Sequence, residues 1–385
     1  MPYVTALDGL RGAAIAAVLL FHTGLLPGGF LGVDLFFVLS GYLITALLLR
    51  EVRQTGRVAL VAFWGRRLRR LGPALMVMLV TVSVTTWVIA PNDLVKTTLS
   101  DGPWVQLNLI NWRLLAESAS YWDRFGSVRV FEHLWSIAVE EQFYLVWPVL
   151  VLLIAMSVRN AERGVVTVAA LVSGASLVAM ITLFDAGDPT RVYIGTDSRA
   201  FSLLVGAVVA APAVRRSVDY AVGKWAGPVM ALLATWIVAV WLLVEGPDSP
   251  GLFTGGLFAH SVACGLLICL CVERQDTRTA RMFAWNPLRR LGLISYGVYL
   301  WHWPVAVLLP VIGVTGWAAT LGVVVGSIGI AALSKRLIED PIRFRSRWAR
   351  GKSGGIVAAA VMLAVAAMWW VLPAPPPPVI DITEL

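Results

Sequence analysis

Two ionisable side chains, Arg11 and His22, lie eleven residues apart in one apolar run of the sequence. On an α-helix eleven steps are close to three full turns, so both side chains leave the helix on nearly the same face, roughly 16 Å apart along its axis. Ionisable groups inside a membrane helix are costly and usually face a cavity or a partner. The pair therefore predicts one wall of a functional site.

A carboxylate flanked by hydroxyl groups lies on a second apolar run. Ser136, Glu140 and Tyr144 step by four residues and share a helical face. Glu140 and His22 are expected at similar depths, roughly 9 and 6 Å from the outer ends of their runs. A carboxylate beside an imidazole fixes the ring tautomer and raises its basicity, which suits removal of a proton from a hydroxyl. The alternative is a structural ion pair or hydrogen bond between two helices.

Four arginines fall within five residues at the start of a third apolar run, Arg66, Arg67, Arg69 and Arg70. Arg67 and Arg70 are three residues apart and are therefore neighbours on one helical face. Guanidinium forks suit phosphate recognition. The same cluster also fits an ordinary cytoplasmic topology signal in contact with lipid headgroups. Spacing alone leaves both interpretations open.

Other polar residues of the apolar runs allow structural and functional interpretations. Asp34 and Arg199 are expected near the outer interface, where they could bind a polar acceptor or form a salt bridge. His302, between two tryptophans, favours a hydrogen bond between helices, and His260 is interpreted as structural. The three cysteines of one apolar segment are interpreted as packing residues, and no metal-ligand spacing is present.

The composition places these residues in a membrane protein. The 385 residues are 58% hydrophobic and only 14% charged, with a mean hydropathy of +0.77, whereas soluble domains carry about 25% charged residues. Apolar runs of about 18 to 22 residues match the length that spans hydrocarbon as a helix. Alternating strand patterns are absent, so a barrel is not expected. The predicted fold class is an all-α, polytopic integral membrane protein.

Eleven spans are predicted, and the positive charges orient them. Of the 31 Lys and Arg residues, 24 fall in loops on one side, six on the other, and Arg11 lies within a span. Positive charge accumulates on the cytoplasmic side, so the N-terminus is predicted inside and the C-terminus outside. This topology also explains the net charge of +8 without a nucleic-acid partner. The predicted spans are 7–26, 34–50, 71–90, 134–157, 164–184, 199–213, 226–244, 252–272, 291–311, 316–334 and 355–372.

Two extracytoplasmic segments carry distinctive compositions. The loop at about 91–133 contains Trp104, Trp112, Tyr121 and Trp122. These side chains fit either an aromatic belt at the membrane interface or a cap that stacks on sugars. The proline-rich residues 373–385 are predicted to extend from the membrane as a stiff spacer.

Seven motifs in order resemble the acyltransferase-3 family of membrane O-acyltransferases: DGLRG with Arg-x10-His, GVDLFFVLSGYLIT, FWGRRLRRLGP, WSIAVEEQFYLVWP, DSRAFSLLVGA, ISYGVYLWHWPV and IEDPIRFR. Members of that family modify sugars on lipopolysaccharide, peptidoglycan, exopolysaccharides and macrolide antibiotics. The family typically has ten membrane helices, and an eleventh often leads to an outer esterase-like (SGNH) domain. The resemblance divides the chain into an acyltransferase domain (1–348), an additional helix (349–372) and a tail (373–385), with an SGNH-type domain or protein as a possible partner.

Carried over by position, the family's catalytic arginine and histidine fall on Arg11 and His22, and its glutamate falls on Glu140. The resemblance implies acyl-CoA, usually acetyl-CoA, as the donor bound from the cytoplasm, a carbohydrate or glycoconjugate acceptor, and a bacterial cytoplasmic membrane. The candidate donor-binding residues are Arg66, Arg67 and Arg70. The candidate acceptor-binding residues are Asp34, Ser136, Tyr144 and Arg199.

Two other functions fit parts of the same sequence. A transporter or flippase of a lipid-linked sugar would also have many helices and buried charges, but transporters tend to show internal repeats, and no repeat is visible here. A scaffold that docks an outer esterase would not need Arg11, His22 and Glu140 within the membrane.

Overall fold

The computed structural model describes residues 3–122, 128–246, 249–346, 349 and 351–373, and every regular element in those ranges is a helix. In this part of the chain nine helices are long and apolar enough to cross a membrane, and a bent helix pair makes a tenth. The all-α, multi-pass fold predicted from the sequence is confirmed. The orientation of its ends stays a prediction, and the proline-rich residues 374–385 and Arg124 lie outside the described residues.

The first half of the chain contains five of the predicted spans. The third helix begins at Leu60 rather than at residue 71, so the arginine cluster is helical. The helices are α1 (Thr5–His22), α2 (Gly32–Thr55), α3 (Leu60–Ile89), α4 (Asn92–Gln106), α5 (Ile110–Ala116), α6 (Trp135–Ser157) and α7 (Ala161–Thr182). The five spans are α1, α2, α3, α6 and α7.

In the second half long spans alternate with short helices. The predicted span 291–311 is a pair of helices bent by 71°. The helices are α8 (Thr190–Ile194), α9 (Thr196–Ala210), α10 (Pro212–Val222), α11 (Ala226–Leu243), α12 (Leu257–Glu273), α13 (Arg278–Phe283), α14 (Asn286–Leu293), α15 (Ser295–Val311), α16 (Gly316–Leu321), α17 (Ser327–Ser334) and α18 (Gly351–Val371).

Helix α9 differs from its predicted span, 199–213. It has 15 residues, which cover about 22 Å and fall short of the roughly 30 Å hydrocarbon layer. Its backbone touches that of α2, because a Cβ on Gly41 would lie 1.8 Å from the Leu203 carbonyl oxygen and one on Gly206 would lie 2.1 Å from the Val38 carbonyl oxygen. Only glycine permits this approach, which brings the polar residues of α2 and α9 together.

The aromatic residues of the segment before α6 divide into two groups. Tyr121 and Trp122 pack inward, with ring centroids 5.2 and 4.9 Å from that of Tyr193. Trp104 and Trp112 each keep 38% of their surface exposed. Only the second pair is placed for the interfacial or sugar-stacking roles that the sequence suggested.

Candidate active site

A narrow pocket of about 70 Å³ lies between α1, α2, α3, α6 and α15. We call it the charged pocket. It gathers six of the residues predicted from the sequence, and these come from three different helices. They are Arg11, Arg67, Arg70, Ser136, Glu140 and Tyr144.

Glu140 is held within this pocket by hydroxyl groups. The hydroxyls of Ser40 and Tyr144 both donate hydrogen bonds to its Oε1. Tyr144 lies one helical turn beyond Glu140 on α6, as the four-residue spacing predicted. The Arg67 guanidinium lies over the Tyr144 ring, 4.3 Å from its centroid, which is a cation–π distance.

Three guanidinium groups face the same pocket without a carboxylate partner. The Arg11 Nε donates to the Ser295 Oγ at 3.3 Å. Within the described ranges, the ion pairs closer than 4 Å include none of Arg11, Arg67 and Arg70. Partly buried guanidinium forks in this state are suited to bind a phosphate or another anion.

Arg66 does not join these arginines. It does not line the charged pocket, and its nearest carboxylate is Glu51 at 3.8 Å, with 48% of the Arg66 side chain exposed. One residue along a helix turns the side chain by about 100°, so neighbours in sequence face different surroundings. Of the three predicted donor-binding arginines, Arg67 and Arg70 therefore line the charged pocket and Arg66 does not.

His22 and Glu140 are not hydrogen-bonded to each other, which corrects the contact expected from their similar depths. The His22 Nδ1 lies 3.0 Å from the Val18 carbonyl oxygen and 3.2 Å from the His302 Nε2. The depth argument could not foresee this, because equal depth does not determine which helix lies next to α1. The hydrogen bond between helices that the sequence favoured for His302 is present, and its partner is His22.

The hydrogen bonds around the two imidazoles assign their tautomers. The His302 Nδ1 lies 2.7 Å from the Tyr299 carbonyl oxygen, which only accepts, so this nitrogen is the donor. The His302 Nε2 is then an acceptor, and the His22 Nδ1 donates toward it and toward the Val18 carbonyl. Among the described residues the His22 Nε2 has no hydrogen-bond partner, so its lone pair is free there.

Tyr299 separates the charged pocket from the histidine pair. Its side chain lines the pocket. Its hydroxyl donates to the His133 carbonyl oxygen at 2.8 Å and accepts from the Ser136 hydroxyl at 2.6 Å. Its ring centroid lies 5.2 Å from that of His302. One side chain therefore contacts both parts of the site.

Asp34 and Arg199 form a second, fully enclosed charged cluster. Both side chains have no exposed surface, and the Arg199 Nη2 lies 3.0 Å from the Asp34 Oδ1. The Ser202 hydroxyl donates to the same oxygen at 2.9 Å. The Arg199 guanidinium also lies 5.1 Å from the centroid of the Tyr193 ring. Asp34 and Arg199 do not line the charged pocket, whereas the other two predicted acceptor-binding residues, Ser136 and Tyr144, do.

Several residues of the site were missed by sequence reasoning. Ser40, Ser295 and Tyr299 line the pocket, and His133 packs against His302 with ring centroids 5.3 Å apart. The only signal was their position, because Ser40, Ser295 and Tyr299 lie within motif segments and His133 lies two residues before one. A single serine or tyrosine in an apolar run carries no periodicity that marks it.

Comparison of the sequence with known proteins identifies its family and several relatives. Residues 4–336 match the family profile described as an acyltransferase domain. The chain is 38% identical over 359 residues to YrhL of Bacillus subtilis strain 168, a proposed peptidoglycan O-acetyltransferase, an alignment covering 89% of this chain and 56% of that protein. It is 38% identical over 351 residues to the peptidoglycan O-acetyltransferase OatA of Listeria monocytogenes, again covering 89% and 56%.

A further relative is the O-acetyltransferase OatA of Staphylococcus aureus, 32% identical over 352 residues, with 89% of this chain and 57% of that protein covered. The chain thus spans a little over half the length of these relatives. No solved structure matches it.

Proposed function

The chain belongs to the acyltransferase-3 family, and we propose that it transfers a short acyl group, first of all acetyl, from cytoplasmic acyl-CoA to a hydroxyl of a cell-envelope carbohydrate. The names of its relatives favour peptidoglycan as the acceptor. The observation that supports the proposal is the set of three arginines that face one pocket without a carboxylate partner in the described ranges. Beyond Tyr299 lies a histidine, His22, whose Nε2 has no hydrogen-bond partner among the described residues. The protein would act in the bacterial cytoplasmic membrane.

The donor would bind at the arginine end of the pocket. Arg67 and Arg70 lie near the start of α3, which the positive-inside pattern assigns to the cytoplasm. They would hold the phosphates of CoA, and Arg11 would contact the donor further along α1. Arg66 of the predicted set faces away from this pocket and is left out of the proposed donor site.

The reaction would take place at the His22 end. The His22 Nε2 accepts the proton of the acceptor hydroxyl while the hydroxyl oxygen attacks the thioester carbonyl carbon. The C–S bond breaks, CoA leaves as a thiolate that takes up the proton, and an ester is formed. A route through a covalent acyl-His22 intermediate uses the same substrates and gives the same products. The wall that Tyr299 forms would have to move for the acyl group to reach His22.

His302 is proposed as a positioning residue, since it acts through His22. By accepting from the His22 Nδ1 it holds the tautomer in which the Nε2 is basic, a role that a carboxylate often fulfils for a catalytic histidine. Glu140, the partner expected from the sequence, is instead proposed to bind substrate groups or to order Tyr144 beside Arg67.

The first test is release of CoA from acetyl-CoA by the purified protein in nanodiscs, with soluble peptidoglycan fragments as acceptor. His22→Ala is expected to abolish transfer while the protein stays monodisperse and melts normally. His302→Ala is expected to lower kcat by about 10²-fold or more, the low end of general-base contributions, and to shift the pH profile, with the donor KM unchanged.

Near-normal turnover in folded His22→Ala would contradict the mechanism. A His302→Ala variant that loses activity only in proportion to folded protein would reduce His302 to a structural role. If the wild type neither binds nor consumes acyl-CoA, the acyltransferase proposal fails and transport of a lipid-linked sugar becomes the leading alternative.

A further inference from the structure

A second and much larger cavity, about 1,220 Å³, separates α3 from α18. Ordinary small-molecule pockets enclose about 300–1,000 Å³, so this space exceeds what a compact polar ligand fills. Its walls are mostly apolar. Leu68, Leu75 and Met76 come from α3, and Ala358 and Met362 from α18.

Hydrogen bonds join the second half of α18 to the neighbouring helices. The Gln106 Nε2 donates to the Met362 carbonyl oxygen at 2.7 Å, and the Trp369 Nε1 donates to the Gln106 Oε1 at 2.8 Å. Toward its start, α18 presents glycines to the gap, and a Cβ on Gly355 would meet no atom within 4 Å. The two helices enclose a groove that extends to the arginine end of α3.

Two of the four clustered arginines line this groove. Arg66 and Arg69 are three residues apart and share a face of α3, whereas Arg67 and Arg70 share the face that lines the charged pocket. In the described part of the chain, the weak contact of Arg66 with Glu51 at 3.8 Å is the only ion pair of these two. The groove thus combines an apolar interior with two cations at its end.

The groove also adjoins the charged pocket. Leu71, Ile137, Glu141 and Tyr296 line both spaces. Because the groove lies among membrane-spanning helices, its apolar interior would be filled by hydrocarbon. The molecule that fills the groove therefore forms part of the side wall of the charged pocket.

We propose that this groove binds one anionic membrane phospholipid, with its phosphate on Arg66 and Arg69 and its acyl chains between α3 and α18. The bound lipid closes the charged pocket toward the bilayer. Charge, apolar lining and volume all favour a two-chain anionic lipid over a free phosphate or a neutral lipid. This inference does not depend on the proposed transfer reaction.

The experiment is native mass spectrometry of the full chain released from detergent, titrated with phosphatidylglycerol and, separately, with phosphatidylcholine of the same chains. We expect selective retention of one phosphatidylglycerol. R66Q/R69Q should weaken this binding roughly thirtyfold, since each interfacial arginine is worth about a factor of five in binding an anionic lipid. The matched control is R159Q/R163Q, which removes two exposed arginines elsewhere and should leave retention unchanged.

A second pair of variants tests the groove itself. Gly355→Phe fills the space between α3 and α18 and should displace the lipid, whereas Ala360→Phe, on a face of α18 that does not line the groove, should not. Equal retention of the two lipids, or unchanged binding in R66Q/R69Q, would overturn the proposal. Binding that depends on the two arginines but is unchanged in Gly355→Phe would also overturn it. The same holds if millimolar inorganic phosphate or acetyl-CoA displaces the lipid.

Discussion

Two groups of charged residues inside the bundle differ in whether the fold supplies a counter-charge. Asp34 and Arg199 are paired at 3.0 Å with no exposed surface. Arg11, Arg67 and Arg70 face a pocket and have no carboxylate within 4 Å in the described ranges. A charge that meets its counter-charge within the fold holds helices together, whereas one that faces free space stays available to a ligand.

The enclosed pair determines how α2 and α9 meet, although its net contribution to stability need not be large. Removing two charges from water is costly, and their attraction roughly offsets that cost. If one of the two residues is replaced, the charge that remains buried has no counter-charge to offset its desolvation cost. The pair and the pocket should therefore respond differently to loss of a single charge.

The largest effect is expected from Asp34→Ala, which leaves Arg199 buried without its counter-charge. Breaking a buried pair costs about 3–5 kcal/mol, so the free energy of unfolding should fall by that amount. Thermal melting of the detergent-purified protein, together with the monodisperse yield, measures it. Unchanged melting would show that the pair is not the structural element described here.

The double variant Asp34→Leu/Arg199→Met is the control for this experiment. Apolar residues of similar volume should recover most of the stability, since well-packed replacements of buried pairs are often neutral. If the double variant folds but binds acceptor more weakly, while donor binding is unchanged, the acceptor role predicted for these residues is supported.

A smaller effect, on binding rather than on folding, is expected from Arg70→Gln in the pocket. Loss of one charge-assisted contact of about 1.5–3 kcal/mol should raise the Kd for acetyl-CoA about 10- to 100-fold, with melting nearly unchanged. Isothermal titration with acetyl-CoA measures it. Arg69→Gln is the matched control, because it removes the same charge from the neighbouring position, which faces the groove. Equal weakening by both variants would contradict the division of the cluster between two cavities.

A still smaller effect is expected from Ser202→Ala, which removes the hydroxyl that donates to Asp34 at 2.9 Å. Stability should fall by about 1 kcal/mol, since the Ser261 hydroxyl, 3.5 Å from the same oxygen, partly replaces it. Ser261→Ala should cost less than Ser202→Ala in the same melting assay. The reverse order would mean that the 3.5 Å contact is the stronger of the two.

The sequence by itself determined the class of this protein and the faces of its helices. Apolar runs long enough for the bilayer predicted the multi-pass helical fold. Four-residue spacing placed Ser136, Glu140 and Tyr144 on one face of α6, and all three line the pocket. These inferences succeeded because hydrophobic length and helical periodicity are local properties of the chain.

Only the tertiary structure decided which side chains meet. His22 lies beside His302, 280 residues further along the chain, rather than beside Glu140, and Arg66 faces a different cavity from Arg67. The span expected at 199–213 is the short α9, held against α2 where Gly41 and Gly206 let the backbones touch. Which helices lie next to each other depends on close packing between segments that are distant in sequence. The periodicity within one helix carries no information about that packing.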